Sequence, residues 1–257
     1  MTPPGPIVEA AGNFCRFDQG RLSRPYEADP PSTLTCFVHD AFRALVLNER
    51  FSCIGGRAAV KRGAYRFALY ERMGSPEAAD GLARDLVRFA GDPDITSEPL
   101  TAFVASFVEP VPPDEEGFER LLWSTLQQVN DRDGAAWAGD CGADPDSPDF
   151  SFSFAGSGYF IVGLHAGSSR LARRFAWPTR VFNPHRQFER LRADGRYGRF
   201  QHTIRRRDLA LQGTVNPMLR DFGEASEARQ YSGRVVPDGW RCPFAAGSGR
   251  HRSGSEG

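Results

Sequence analysis

The chain has 257 residues, enough to bury a sizeable core, and its 32 basic and 32 acidic side chains cancel, which argues against a general nucleic-acid or membrane-surface binder. Five cysteines, Cys15, Cys36, Cys53, Cys141 and Cys242, follow neither a zinc spacing nor a disulfide framework. With no basic-then-apolar leader at the start and no apolar run long enough to span a bilayer, a cytoplasmic protein is expected.

Residues 1–31 are rich in Pro, Gly and charge and read as an irregular arm. Ser32 or Thr33 caps a predicted helix reaching Asn48, with Phe37, Ala41, Leu45 and Val46 at helical spacing. FSCIGGRAAV then reads as a strand, KRG as a turn and AYRFALYERM as the second strand of a hairpin. SPEAADGLARDLVRFAG has a serine cap, proline at the first helical position and a closing glycine, so it predicts a helix. LTAFVASFVEP is a strand, and Glu115 to about Asp131 a helix. Residues 131–149 form an acidic, turn-rich loop, a possible lid. Two strands flank AGSG, WPTRVF is another, and helices start near Pro184 and run through RFQHTIRRRDLALQG. This order predicts an α+β fold: one domain over 32–244, a mixed, largely antiparallel sheet packed by helices, and a disordered tail over 245–257.

Nucleotide binding finds no support, since neither GxGxxG nor GxxxxGK[ST] occurs; HExxH is also absent. His165 ends the apolar strand FIVGL, where the ordinary reading is a hydrogen-bonded strand-end histidine and the functional one an axial ligand to haem or another metal. His185, within NPH, organises a turn or sits opposite such a ligand. Ser168, Ser169 and Arg170 either cap a helix that carries Arg173 and Arg174 on its solvated face, or provide donors for a propionate, phosphate or substrate carboxylate. Cys53 is a small strand hydrophobe or a thiolate iron ligand.

The stretches DFSFSFAG, FIVGLHAGSSRLARRF, VFNPHRQFERLR, IRRRDLALQGTVNPMLRDFGEASEARQYSG and WRCPF resemble the YqcI/YcgG family, also known by its FPC and CPF tripeptides. The likeness is dense over 149–244 and looser over 51–73. The second tripeptide is Cys242-Pro243-Phe244; the first reads Phe51-Ser52-Cys53, with serine for proline. Members it is similar to include haem-dependent guanidine N-hydroxylases of the guanitoxin and D-cycloserine pathways. The resemblance implies a haem b monooxygenase that uses O2, takes electrons from a separate reductase or electron-transfer protein, and hydroxylates a guanidine nitrogen of arginine or an arginine-derived amino acid. On that basis His165 is the first-choice iron ligand and Cys53 the alternative, with His185 distal or structural. Ser169, Arg170 and Arg174 are the candidate propionate partners, Asp149 and Glu189 the acids for the guanidinium, and Arg207 and Asn216 the groups for the substrate carboxylate. The other readings are a non-catalytic haem-binding or gas-sensing protein and a cofactor-free interaction protein.

Overall fold

A computed structural model describes residues 13–220 and 223–247. The expected arm is not irregular throughout. Strands β1 (Cys15–Asp18) and β2 (Arg21–Ser23) form a tight hairpin inside it, with Gln19 and Gly20 both at positive φ, +48° and +80°, as a two-residue turn between twisted strands requires. Strands this short leave too little alternation to stand out from a polar segment.

Helix α1 (Thr33–Leu47) starts where Ser32 Oγ accepts from the Thr35 amide. The segment expected as a strand is instead helix α2 (Ile54–Arg62), opened by Cys53 and closed by Gly63 at φ +71°. Strand β3 (Tyr65–Arg72) therefore has no hairpin partner before it. It pairs antiparallel with β1 and parallel with β4 (Ala102–Glu109), and α3 (Pro76–Gly91) and the single turn α4 (Pro93–Thr96) make the crossover. Ser75 caps α3 with Pro76 at its first position, as the sequence predicts.

Helix α5 (Glu115–Asn130) follows, then the loop over 131–149, the hairpin β5 (Phe152–Phe154) and β6 (Ser157–Leu164), a 3₁₀ turn at Leu171–Arg173, and β7 (Thr179–Pro184). Helices α6 (His185–Ala193), α7 (Tyr197–Gln212) and the short α8 (Ala228–Tyr231) complete the order. The strands form one seven-stranded sheet, β2-β1-β3-β4-β7-β6-β5, in which only β3 and β4 run parallel. The fold is thus α+β with a mixed, largely antiparallel sheet.

Alternation along the strands divides the core in two. Phe103, Phe107, Ile161 and Phe182 share one cluster with residues of α3, α5 and α8, whereas Phe67, Val104 and Leu164 share the other with α1 and α2. The first residues of the expected disordered tail are held in place. Gln127 on α5 exchanges two hydrogen bonds with the Ala245 backbone, and Asn130 accepts from the Gly247 amide. The expectations for residues 1–12 and 248–257 lie outside the described residues. Among the described residues no helix is long and apolar enough to cross a membrane.

Candidate functional site

A cavity of about 270 Å³ lies on the α1/α2 side of the sheet, at the small end of the range for small-molecule sites. Its floor is the sheet face presented by Val104, Val162, Leu164 and Val181; α2 forms one wall and α6 and α7 another. Phe200 of α7 and Gly55 of α2 meet so closely that a Cβ on Gly55 would lie 2.8 Å from the phenylalanine ring. Glycine at that position is what lets the two walls approach.

Cys53 lines this cavity at the start of α2, where its Sγ accepts from the Gly56 amide at 3.3 Å. Burial pushes its thiol upward, opposed by the Gly56 and Gly55 amides and by the positive charge of Arg173. The sequence suggests no charge partner for this cysteine, yet the fold brings one from about 120 residues away in the chain, on the 3₁₀ turn. Arg173 is not on a solvated face. It donates to Tyr231 O at 3.0 Å, and burial brings its guanidinium down to about 10.

Of the other expected residues, Arg170 and Asn216 also line the cavity. Arg170 is held by protein acceptors: it pairs with Asp208 of α7 and donates to the Thr214 hydroxyl and carbonyl at 3.1 and 2.9 Å. Asn216 donates its amide to Asp208 and accepts from the Met218 amide, so these residues brace the site. Arg207 is not in the lining. It donates to the Phe51 and Glu49 carbonyls and tethers the segment that leads into Cys53.

The remaining candidates lie elsewhere. His165 continues the alternation of β6 on the face away from the cavity, where a Cβ on Gly163 would meet Phe118 and where the imidazole itself stacks on Phe118 at 4.3 Å. It is 1 % exposed, burial lowers its basicity, and neither ring nitrogen has a hydrogen-bond partner among the described residues. Of the two candidate iron ligands, Cys53 lines this cavity and His165 does not. His185, buried at the start of α6, lies 3.9 Å from Asp140 and 3.8 Å from Glu189, outside the cavity lining.

Ser169 gives its amide and hydroxyl to Glu115 at the start of α5, and Arg174 donates to Ser168 O, so neither caps a helix after β6 nor reaches the cavity. Asp149 accepts from Ser147 within the acidic loop, and Glu189, itself not in the lining, pairs with Arg192, which is. They do not converge on one guanidinium.

Glu227, immediately before α8, lines the cavity, and nothing in the sequence around it marks it as a site residue. Strand β5 pairs only with residues 157–159 of β6, and α8 contacts β6, with the Tyr231 ring edge-on to Phe160. A four-residue helix in a polar stretch gives no periodicity to read, so the position of Glu227 follows only from this packing. Among the described residues no cluster of three or more His, Cys, Asp or Glu side chains is arranged to hold a bare metal ion.

The YqcI/YcgG family model matches residues 42–245. Two proteins of Bacillus subtilis (strain 168) are similar: the uncharacterized protein YqcI, 29 % identical over 209 residues covering 76 % of this chain and 81 % of that one, and the uncharacterized protein YcgG, 26 % identical over 208 residues covering 77 % and 81 %. No solved structure matches the chain.

Proposed function

The chain belongs to the YqcI/YcgG family, and from the chemistry of its cavity we propose that it is a haem-dependent monooxygenase that N-hydroxylates a guanidine nitrogen of arginine or an arginine-derived amino acid. The observation that carries this reading is Cys53: a thiol in the wall of a largely apolar cavity, whose pKa burial raises while the Gly56 and Gly55 amides and the Arg173 guanidinium oppose that rise. Apolar walls suit the faces of a macrocycle, and a thiolate suits its iron. Cys53 would hold the group, a separate electron-transfer protein would serve as electron donor, and haem b would supply the activation of O2.

The chain's own contribution is placement and exclusion. Phe51, Val60, Phe188 and Phe200 give the cavity apolar walls, and a bound ligand that displaced water from them would strengthen the polar contacts made inside. Arg205 and Arg220 line the same space, Arg220 donating to the Pro217 and Leu219 carbonyls, and their positive charge would favour an amino acid carboxylate there. The Arg170–Asp208 pair fixes α7 against the 3₁₀ turn, so that Cys53 and Arg173 keep their separation.

The test is an absorption spectrum of protein produced with a haem precursor, in ferric, reduced and carbon-monoxide-bound forms, for the parent and for Cys53→Ala and His165→Ala. The reading expects a Soret band with a thiolate-type carbon-monoxide spectrum, lost in Cys53→Ala and kept in His165→Ala. Absence of any Soret band after reconstitution rejects it.

A further inference from the structure

Among the described residues five carboxylates are buried, and four of them face an arginine. Asp92 pairs with Arg66 at 2.7 Å, Asp85 with Arg88 at 3.5 Å, Glu119 with Arg234 at 2.9 Å, and Asp208 with Arg170. Glu227 is the fifth. It is 6 % exposed, its Oε2 accepts from the fully buried Ser151 hydroxyl at 2.7 Å, and no Arg, Lys or His is paired with it among the described residues.

A carboxylate taken out of water without a counter-charge is costly, and proteins almost always supply one. Two of the five line the cavity: Asp208 is paired with Arg170, whereas Glu227 has no ion pair among the described residues and meets positive charge only at longer range, from Arg192 on the same lining. Ser151 holds one oxygen in place, so the group is oriented even though it is not neutralised. Burial accordingly raises its carboxyl to about 7. Gln230, 3 % exposed and three residues along α8, lines the cavity as well and adds an amide next to the acid. The opposite charge is present on the same lining in Arg192, which pairs with Glu189, and in Arg205 and Arg220. A ligand that satisfies both ends is an amino acid with a cationic side chain.

We propose that Glu227 is the specificity-determining residue of the cavity, the carboxylate that selects a ligand bearing an organic cation by acting as its counter-charge. This deepens the functional reading above and rests on it for the choice of a guanidinium over other cations. Asp149 and Glu189, the acids suggested by sequence, are not in the cavity lining; Asp149 accepts from Ser147, and Glu189 pairs with Arg192.

The experiment is calorimetric titration of the full-length protein as purified, its haem content recorded by absorbance, with L-arginine and with L-citrulline, the neutral urea isostere. The parent should prefer L-arginine. Glu227→Gln, which keeps an oxygen for Ser151, should weaken L-arginine by about tenfold or more and change L-citrulline by less than about twofold. Glu227→Asp retains the charge and should keep the preference, which separates charge recognition from general damage to the cavity. Equal loss for both ligands in Glu227→Gln, an undiminished preference for L-arginine in that variant, or no L-arginine binding by the parent overturns the proposal. A protein that passes this test without haem or turnover refutes the oxygenase reading alone; one that turns over a guanidine but shows no effect of Glu227→Gln refutes this inference alone.

Discussion

Arg170, after β6, and Asp208, on α7, form an ion pair whose side chains are 7 % and 8 % exposed, and the same carboxylate accepts from the Asn216 amide. Removing one partner leaves the other charged and buried, so Arg170→Ala is expected to cost about 3–5 kcal/mol. Replacing both, as in Arg170→Met with Asp208→Leu, should cost clearly less than the sum of the single changes. Urea unfolding of the four proteins in a double-mutant cycle measures the coupling.

Arg207 ties α7 to the Glu49 and Phe51 carbonyls, four and two residues before Cys53. Arg207→Ala should lower stability by about 1–2 kcal/mol and speed amide exchange over residues 49–56, while sheet amides stay protected. Hydrogen exchange read by mass spectrometry distinguishes this local loosening from global destabilisation.

His39 is buried beneath β1, with Nε2 2.7 Å from the Tyr65 hydroxyl, Nδ1 3.1 Å from Asp40, and Arg43 donating to the same hydroxyl. Burial lowers its pKa from 6.5 to about 4, so the folded imidazole stays neutral where the unfolded one takes a proton. The stabilisation is complete above the unfolded value and is lost as pH falls towards the folded one. His39→Gln should therefore lose less stability than the parent between about pH 8 and about pH 5, by on the order of 2 kcal/mol, in denaturant melts at both values.

Two glycines give opposite expectations. A Cβ on Gly163 would lie 2.5 Å from the Phe118 ring and 2.9 Å from Tyr231 O, against packed core, so Gly163→Ala should cost roughly 1–3 kcal/mol. A Cβ on Gly55 meets only the tip of Phe200, which borders the cavity. Gly55→Ala should leave the melting temperature within a few degrees of the parent while reducing ligand occupancy, because the ring is pushed into the space a ligand needs.

The long elements were legible from their ends and their spacing: Ser75-Pro76 announces α3, and Phe118, Leu122 and Leu126 announce α5. Helix α2 reads as a strand in the sequence because FSCIGGRAAV carries small and apolar residues without a polar face, and its cap is a cysteine rather than the usual serine or aspartate. The site was only partly legible for a different reason. Which face of β6 a side chain takes depends on one-residue parity, which put His165 against α5 and left Leu164 on the cavity. Cys53, Arg170 and Asn216 could be named from sequence, whereas the roles of Arg173 and Glu227 depend on contacts between distant segments.

The cavity wall draws on Phe42 near one end of the described chain and on Gln230 near the other. During synthesis Cys53 leaves the ribosome early, and every strand of the sheet can be in place before Glu227 has been translated. The chamber is therefore sealed last. A molecule retained there acts on the finished chain and not on a nascent one, and by holding α2, α7 and α8 together it opposes their separation in proportion to its concentration. Chains that end before α8 would carry the whole sheet yet retain nothing, which makes retention itself a mark of complete synthesis.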